Sequence, residues 1–537
     1  MPERQTRVLV AGGSLVGLST SVLLASYGVP HLLVESHRGT AIHPRAASFH
    51  QRTMEVFRSA GLQGAVEEVA AREFKQGGAI VAVESLAGKE LAYFYRSYND
   101  GVEGLSPTDR LFITQVGLEP VLRQRAAELG AEHLFGTDLV SFEASDGKVT
   151  AVIRPRDGGP AETVVADYLV AADGAHSAVR EQLGIPMTGR GSFADCVTIY
   201  FRADVNPFMG DRNLSVVYVN HPELMGFFRF SYAGDSGFLA VFATLGPGGA
   251  RNTHVGADIS DQLCADLVRT ALGSGSELPV EIESVQRWSA MAATAETFQS
   301  GRVFLAGDAA HVMPPTGGFG GNTGVADAYN LAWKLAYVTQ GTAGPGLLDT
   351  YTDERRPISE LTVEQAYTRY ALRVDPSLPR DDLQPPLDDP AIELGSVYRS
   401  AAVRADAAPD EPLDDPHART WAPGTRVPHL PLPGGTGSTL DTAAPGFALL
   451  TDGADGAAGH WTQAAGQAHD ALGVTVTVHQ LSPGDITGSA LIRPDGVIAW
   501  TPPAGVPAAG SASQLTPVLA ALLSRPAPVS QQPAGSR

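Results

Sequence analysis

The stretch GRVFLAGDAAHVMPPTGGFGGNTGVADAYNLAWK, residues 301–334, decides the predicted fold. It opens on a short apolar strand, residues 303–306, which breaks at Gly307-Asp308. A loop rich in proline and glycine follows, and a helix is predicted to begin at about Asn322. Glycine lets backbone approach a ligand closely, and a helix N-terminus directs N–H groups and the positive end of its dipole at that ligand. The stretch therefore predicts a ligand-binding loop, which a flat, electron-rich ring would suit.

The N-terminus carries a second motif, which favours a binding loop over a plain Gly/Pro turn. A buried strand is predicted at residues 7–11, followed by the turn GGSLVG at residues 12–17 and an apolar helix. A second strand, residues 31–34, ends in Glu35. This order is typical of a dinucleotide-binding βαβ unit, with a helix N-terminus for the pyrophosphate and an acid for the ribose hydroxyls. Ser14 stands where the usual pattern has its middle glycine.

Length and composition limit the class of protein. A chain of 537 residues is expected to form two or three domains. Its 43 % hydrophobic and 18 % charged residues are typical of a globular protein, and its formal net charge of −20 disfavours nucleic acid or an anionic membrane as partner. Cys196 and Cys264 are the only cysteines, and no signal peptide, membrane span or metal-ligand spacing is recognised. We expect a cytoplasmic protein without disulfides or metal.

A third motif lies after a meander of predicted strands. Residues 168–171 form a buried strand that ends in Asp173-Gly174. An acidic-Gly turn after a parallel strand places polar groups at the carboxyl end of the sheet. The meander before it is predicted at residues 139–143, 149–153 and 163–165.

Two polar residues lie where they could reach a ligand held by these motifs. Arg45, in the segment HPRA at residues 43–46, could donate to a pyrophosphate or a ring carbonyl. A surface arginine that caps a helix is the alternative. Gln115 opens an amphipathic helix predicted within residues 111–129 and could hydrogen-bond a cofactor hydroxyl.

Residues 195–245 are predicted to form an antiparallel sheet, because short runs rich in β-branched and aromatic residues alternate with turns. Such a sheet could form the wall of a pocket for a large apolar substrate. The alternative is that its aromatic residues fill the sheet's own core. The candidates for the wall are Phe201, Tyr218, Phe228, Phe230, Tyr232 and Phe242.

The remainder of the chain is predicted to be a long helix, a linker and a small C-terminal unit. The helix covers residues 347–372, with a kink at Pro357, and Arg373 ends it. Residues 375–416, rich in proline and aspartate, are predicted to be mostly a solvated connection in which only residues 393–403 are helical. The last hundred or so residues are expected to form an α/β unit with a disordered tail.

Taken together, the glycine turn with Glu35, the Asp173-Gly174 turn and the Gly307-Asp308 stretch with its loop resemble the three fingerprints of single-component FAD-dependent aromatic hydroxylases, which share the para-hydroxybenzoate hydroxylase fold. The chain more closely resembles bacterial aromatic polyketide hydroxylases, such as aklavinone and angucycline hydroxylases, over nearly its whole length. The resemblance implies an α/β fold: a Rossmann-like FAD-binding domain with an inserted antiparallel-sheet substrate domain, followed by a thioredoxin-like C-terminal domain.

The resemblance also implies domain boundaries. Residues 1–185 would be the first part of the FAD-binding domain, with a small substrate-domain insertion near residues 77–105. Residues 186–285 would be the substrate-binding sheet, residues 286–400 the second part of the FAD-binding domain with the long helices, and residues 401–537 the thioredoxin-like domain. This last domain has no CxxC motif, so we expect it to serve in packing or association rather than redox chemistry.

Site residues follow from the resemblance by position. Pro315 and Gly318 would lie at the reacting ring, and His311 would pack beneath the loop. Arg373 could polarise a phenolic oxygen, since a guanidinium favours the phenolate, although it could equally serve the dipole at its helix C-terminus. The implied cofactor-binding residues are Gly12, Ser14, Leu15, Val16, Gly17, Glu35, Arg45, Gln115, Leu139, Asp173, Gly174, Asp308, Pro315, Gly318, Gly321 and Asn322.

The implied reaction is that of an FAD-dependent monooxygenase in bacterial secondary metabolism, such as antibiotic biosynthesis. NADPH or NADH would reduce bound FAD, O₂ would form a C4a-hydroperoxide, and one oxygen atom would enter a polycyclic aromatic polyketide or quinone. Such a protein needs a dry pocket. It would act as a monomer or a homodimer.

Other functions remain open from the sequence. An NAD-linked dehydrogenase would use the first glycine turn but leaves the two later motifs unexplained. A flavoprotein that modifies or sequesters an aromatic drug would use the same pocket. Baeyer–Villiger insertion or oxidative rearrangement of a quinone would use the same motifs as ring hydroxylation.

Overall fold

The computed structural model describes residues 3–43, 47–246, 251–255, 259–375, 377–404, 410–435, 437–453, 456–503, 506 and 508–526. The helices of this part are α1 (Leu15–Ser26), α2 (Gln51–Ser59), α3 (Gln63–Glu73), α4 (Gln115–Glu128), α5 (Ala178–Gln182), α6 (Asn206–Met209), α7 (Asp261–Leu272), α8 (Phe319–Thr339), α9 (Thr350–Arg373), α10 (Asp389–Leu394), α11 (Ala457–Leu472), α12 (Ala508–Ala512) and α13 (Leu515–Leu522). In this part of the chain no helix is both long and apolar enough to cross a membrane.

The strands form three sheets and a two-stranded ribbon. In chain order they are β1 (Glu3–Ala11), β2 (His31–Glu35), β3 (Ser48–Phe49), β4 (Ala79–Val83), β5 (Glu90–Tyr95), β6 (Leu111–Phe112), β7 (Glu132–Phe135), β8 (Thr137–Ala144), β9 (Val149–Pro155), β10 (Glu162–Ala171), β11 (Met187–Arg202), β12 (Leu214–Asn220), β13 (Leu224–Phe230), β14 (Ser236–Leu245), β15 (Arg251–Asn252), β16 (Glu281–Ala295), β17 (Gln299–Ser300), β18 (Val303–Leu305), β19 (His311–Val312), β20 (Phe447–Thr451), β21 (Val476–Gln480), β22 (Ser489–Ile492) and β23 (Ile498–Trp500).

The first sheet brings the three sequence motifs to one edge. Its order is β17-β18-β10-β1-β2-β7, with β9 added antiparallel to β10 and β8 to β9. Strands β1, β2, β10 and β18 run parallel, and Ala11 pairs with Ala171, which pairs with Leu305. The turns that follow these strands therefore lie side by side, as expected at the carboxyl edge of a doubly wound sheet.

The second sheet is largely antiparallel, in the order β19-β16-β11-β14-β13-β12-β4-β5, with β15 beside β14. Helix α7 covers one of its faces, and the C-terminal half of α9 packs against the other. The sheet extends through β16, past the boundary predicted at residue 285. Strands β4 and β5, from the predicted insertion, belong to the same sheet, and β4 pairs parallel with β12. The predicted α/β fold with an inserted antiparallel sheet is confirmed.

The C-terminal unit has the sheet order β21-β20-β22-β23, in which β20 and β21 are parallel and are joined by α11. Its core is continuous with α8, since the Phe447 ring packs edge-on against Trp333 and Tyr337. Its thioredoxin-like character stays a prediction. The tail from residue 527 onward, predicted to be disordered, lies outside the described residues.

A buried ion cluster joins this unit to the two long helices. The Glu354 carboxylate on α9 accepts hydrogen bonds from both terminal nitrogens of Arg493, at 2.6 and 2.9 Å, and from Lys334 of α8 at 2.8 Å. All three side chains have no solvent exposure. This cluster ties the C-terminal unit to α8 and α9; the unit's role in packing or association stays a prediction.

Two sequence expectations about the helices were wrong. Helix α8 begins at Phe319 rather than at Asn322, because Gly318 adopts a left-handed conformation (φ 70°) and is the N-cap. In the segment predicted to be solvated, helix α10 covers Asp389–Leu394 rather than residues 393–403, and Ile392 and Leu394 are buried. The segment is therefore part of the protein core at this point.

Candidate active site

A cavity of about 630 Å³ runs from the carboxyl edge of the first sheet to the second sheet. Its volume is that of a typical cofactor or substrate site. Most of the site residues predicted from the sequence line it. These are Gly12, Ser14, Leu15, Val16, Glu35, Gln115, Leu139, Asp173, Gly174, Asp308, Pro315, Gly318, Gly321 and Arg373.

Gly17 lies beneath the glycine turn, in the first turn of α1, and supports the site rather than lining it. A Cβ atom at Gly17 would lie 1.9 Å from the carbonyl oxygen of Gly12. Gly12 has a φ of +104°, and a Cβ there would lie 2.2 Å from the Ala172 carbonyl oxygen. Glycine is thus required at both positions for the turn to pack between β1 and β10.

Asn322 also supports the site from behind, although the sequence placed it at the cofactor. Its side chain is fully used by protein groups, since its oxygen accepts two hydrogen bonds and its nitrogen donates two. The donors are the His50 N–H and the Thr53 hydroxyl, and the acceptors are the Ser48 and Gly318 carbonyls. Asn322 therefore ties the glycine loop to the segment before α2. Arg45 lies outside the described residues.

Glu35 ends β2 as a charged acceptor at the cavity edge. It accepts hydrogen bonds from the Gly13 N–H at 2.6 Å and the His37 N–H at 2.7 Å. Burial alone would raise the pKa of Glu35, but these hydrogen bonds outweigh burial and hold the pKa below its usual value. The carboxylate is therefore ionised and oriented, as an acceptor for ribose hydroxyls must be.

Glu119 of α4 contacts the glycine turn and was not predicted from the sequence. It is fully buried and accepts hydrogen bonds from the Ser14 hydroxyl and the Ala41 N–H, both at 2.6 Å. It thus anchors Ser14, the N-cap residue of α1, within the glycine turn. A signal was present, because Gln115 and Leu122, one helical turn away on either side, were both expected to face inward.

A buried aspartate anchors the Gly307-Asp308 turn. Asp327 of α8 accepts from the Gly307 N–H at 3.0 Å and from Arg355 Nε at 2.8 Å, and lies 2.7 Å from His311 Nε2. Burial would raise the pKa of Asp327, but His311 and Arg355 outweigh it and keep the pKa below its usual value. His311 is buried under the loop, and Asp308 faces the cavity.

The second sheet gives the cavity an aromatic wall. Tyr218 and Phe242 line it as predicted, together with Phe227 and Phe238, which were not predicted. Phe201, Phe228 and Phe230 do not, because side chains alternate along a strand and these three face α7 on the other side. Tyr232 is 55 % exposed, beside Lys75. These four residues therefore do not line the cavity, although they were predicted to form its wall.

Two consecutive residues on β13 test whether one face of the second sheet lines the cavity while the other packs against α7. Phe227→Ala is expected to raise the KM for the aromatic substrate while changing stability little, since Phe227 is only partly buried and lines the cavity. Phe228→Ala should instead lower the free energy of unfolding by about 3 kcal/mol and leave KM unchanged, because it empties a fully buried site on the opposite face. Steady-state kinetics and urea denaturation of both variants check this, and equal effects on KM would contradict it.

Charged groups gather at the end of the cavity near α9 and α10. Arg373 lies over Phe94, with its guanidinium carbon 4.9 Å from the ring centroid. Asp389 accepts from the Tyr95 hydroxyl and from Arg369, each at 2.5 Å. Burial would raise the pKa of Asp389, but Arg369 and Tyr95 hold it below its usual value. Asp389 and its neighbour Glu393 both line the cavity, and neither was expected from the sequence.

The residues present fit FAD. The turn at Gly12 and the loop at Gly318 bring two helix N-termini to one cavity, and neither helix is capped by its N-cap side chain. Helix N-termini suit a pyrophosphate and the electron-rich edge of a flavin ring. Glu35 and Asp308 add acceptors for sugar hydroxyls. Among the described residues, His, Cys, Asp and Glu side chains do not gather in a metal-binding group.

Comparisons with known proteins agree with this geometry. Residues 5–366 match the family described as FAD binding domain, and residues 420–526 match the family described as aromatic-ring hydroxylase, C-terminal. The chain is 45 % identical to 4-methyl-5-nitrocatechol 5-monooxygenase of Burkholderia sp. over 93 % of the chain and 94 % of the relative. It is 42 % identical to a putative polyketide hydroxylase of Streptomyces halstedii over 96 % of the chain and 97 % of the relative.

A solved structure extends the comparison to the fold. The ternary complex of aklavinone-11 hydroxylase with FAD and aklavinone superposes with a TM-score of 0.89 at 36 % identity, covering 98 % of this chain and all of that one. The sequence match and the structural match both cover nearly the whole chain, so the predicted family is confirmed. The chain belongs to the FAD-dependent aromatic-ring hydroxylases.

Proposed function

We propose that the protein is a monooxygenase that uses FAD, NADPH or NADH, and O₂ to hydroxylate a polycyclic aromatic polyketide or quinone. The observation that carries the proposal is one continuous cavity. At one end lie the glycine turn, Glu35 and Asp308, and at the other lies the aromatic wall of Tyr218 and Phe242. A cofactor ring at the Pro315–Gly318 loop would thus face an aromatic substrate directly.

Each end of the cavity has a distinct task in this proposal. The turn at residues 12–17 binds the pyrophosphate, Glu35 the adenosine ribose and Asp308 a ribityl hydroxyl. When bound, FAD supplies the redox and oxygen-transfer chemistry. The N-terminus of α8 places a positive dipole end at the ring edge and stabilises negative charge there. The aromatic wall excludes water, which protects the reaction from wasteful release of hydrogen peroxide.

Arg373 and Tyr218 are proposed to activate the substrate hydroxyl. A guanidinium at the cavity favours the phenolate, which is the more nucleophilic form of the substrate ring. Burial raises the pKa of Tyr218, with Arg373 opposing this, so Tyr218 stays protonated and can donate a hydrogen bond to that phenolate.

Arg373→Gln is expected to lower kcat/KM by about tenfold to hundredfold, because the phenolate loses a nearby positive charge. FAD content should be unchanged. Arg356→Gln, at a partly exposed position of the same helix and paired with Glu360, is the matched control and should keep wild-type kinetics. A wild-type kcat/KM in Arg373→Gln would remove Arg373 from the mechanism.

A second candidate is a single-ring nitrophenol or catechol substrate. The observation that favours it is the 45 % identity to the nitrocatechol monooxygenase. The reaction class is the same, so only the substrate differs. A cytoplasmic location is proposed for either substrate.

Anaerobic reduction by NADPH and NADH, followed at the flavin absorbance band, tests the proposal. The compound that most accelerates bleaching, from a panel of polycyclic quinones and nitrocatechols, identifies the substrate class. Admission of ¹⁸O₂ should then give a product with one labelled oxygen, and its structure separates a phenol from a Baeyer–Villiger lactone. Oxygen uptake without product would favour a sequestering flavoprotein. Failure to reconstitute the protein with FAD would contradict the proposal.

A further inference from the structure

Two residues form a wall between the main cavity and a smaller one. His50 and Glu393 line both. The second cavity has a volume of about 50 Å³, which is large enough to hold at least one water molecule. Its lining offers polar side chains that such a water can contact, namely Arg52, Arg355, Ser396, Tyr398 and Arg426.

Glu393 is the ionisable group in this wall. Its side chain is 3 % exposed, and its Oε2 accepts from Arg110 Nε at 2.9 Å. Its Oε1 lies 3.7 Å from His50 Nε2, so that oxygen has a neighbour but no short hydrogen bond to it. The titratable and charged groups around Glu393 come from several elements and are His50, Tyr95, Tyr98, Arg110, Arg369 and Asp389.

These surroundings leave Glu393 able to hold or release a proton near neutral pH. Burial raises the pKa of Glu393 to about 7, although Arg110 opposes this. Burial, together with Arg110, lowers the pKa of His50 to about 3, so His50 stays neutral. A neutral imidazole beside a carboxyl that titrates near pH 7 is suited to proton exchange.

The wall lies directly behind the glycine loop. The His50 ring hydrogen-bonds the backbone of Gly317 and packs edge-on against Phe319, with ring centroids 5.6 Å apart. The backbone N–H of His50 donates to Asn322 Oδ1 at 2.9 Å. In space, only His50 thus separates Glu393 from the loop that would hold the flavin edge.

Hydroxylation creates a need for such a group. In the balanced reaction, substrate, O₂, NAD(P)H and one proton give hydroxylated substrate, water and NAD(P)⁺. A proton must therefore enter the cavity in every turnover, although the aromatic wall keeps bulk water out.

We propose that Glu393 exchanges protons between the main cavity and water in the second cavity. The proposal rests on the proposed function. In the inward direction an excess proton, carried as hydronium in the second cavity, protonates the Glu393 carboxylate and leaves a neutral water there. The carboxylic acid then gives this proton to a basic group in the main cavity, which restores the carboxylate. The reverse sequence removes a proton from a substrate hydroxyl. No electrons move in either step.

Glu393→Gln tests the proposal, because glutamine keeps the shape but cannot ionise. Infrared difference spectra of the FAD-loaded protein across pH 5–9 should show a carboxylic acid that titrates near pH 7 in wild type and is absent from the variant. Turnover of Glu393→Gln should fall at least tenfold and lose its dependence on pH near 7, with FAD content unchanged. Glu393→Asp should partly restore both the turnover and its dependence on pH. Glu411→Gln, on the exposed part of the same segment, should match wild type.

Two results would overturn the proposal: a wild-type pH profile and rate in Glu393→Gln, or the lack of a carboxyl titrating near pH 7 in wild type. The second can be read from ¹³C-glutamate-labelled wild type, even if the variant does not fold. Failure of the proposed function is distinguishable, since it would appear as loss of oxygenation in wild type while the infrared titration still reports on Glu393.

Discussion

Gly17→Ala is expected to weaken the binding of FAD about a hundredfold. The new Cβ would lie 1.9 Å from the Gly12 carbonyl oxygen, which is part of the backbone and not a flexible side chain. Gly12 cannot move aside, because its N–H donates to the Val34 carbonyl at 2.9 Å and its Cα position lies against the Ala172 carbonyl. Helix α1 must then shift away from the turn that binds the pyrophosphate. Overpacking of this kind costs about 1–3 kcal/mol or more, so a rise in the Kd for FAD of about a hundredfold is expected.

The measurement is a titration of apoprotein with FAD, followed by quenching of flavin fluorescence. Gly64→Ala is the matched control, since Gly64 is also helical, in α3, and a Cβ there meets nothing within 4 Å. It should bind FAD normally and gain up to about 1 kcal/mol of stability. An unchanged Kd in Gly17→Ala would show that the turn does not bind the cofactor.

Glu354→Gln is expected to lower the free energy of unfolding by about 3–5 kcal/mol. Removing one partner of a buried ion cluster leaves the other charges uncompensated. Here the Glu354 carboxylate is the shared acceptor of Lys334, Arg493 and Asn330, so a neutral amide would leave two buried cations with less compensation. The contacts between the C-terminal unit and helices α8 and α9 should be lost first.

Urea denaturation followed by tryptophan fluorescence measures this, because Trp333 lies at the interface. Glu360→Gln, on the exposed face of the same helix, should cost less than about 0.5 kcal/mol. Burial would raise the pKa of Glu354, but Arg493 and Lys334 hold it far below the usual glutamate value of about 4.5. The contribution of this carboxylate to the free energy of unfolding is therefore complete above about pH 4.5 and is lost as the pH falls. The difference in the free energy of unfolding between variant and wild type should consequently narrow in acid. A gap that widens in acid would contradict this account.

The motif-bearing half of the site was predictable because its residues lie close together in the sequence. Continuous apolar runs specify β1, β10 and β18, and each is followed at once by its glycine turn. Parallel pairing of such strands then brings the turns together without further information.

The substrate half was harder to predict, because it depends on which face of a sheet is covered. The alternation along β13 separates Phe227 from Phe228 but does not say which of them faces α7. Helix α10 shows a different limit. A segment of prolines and aspartates is typical of a solvated linker. Glu393 in this segment is nevertheless buried, because it pairs with Arg110, which lies 283 residues away in the sequence.

The parallel pairing of β4 with β12 has a consequence for exchanging substrate preference between relatives. Ile80, Phe94 and Tyr95 come from the insertion near residues 77–105 and line the same cavity as Tyr218 and Phe242. A chimaera that received only residues 187–295 from another hydroxylase would join a foreign β12 to the resident β4 and keep half of the original wall. Selectivity should transfer only when both segments are exchanged together, and natural divergence in substrate choice is constrained to alter them in concert.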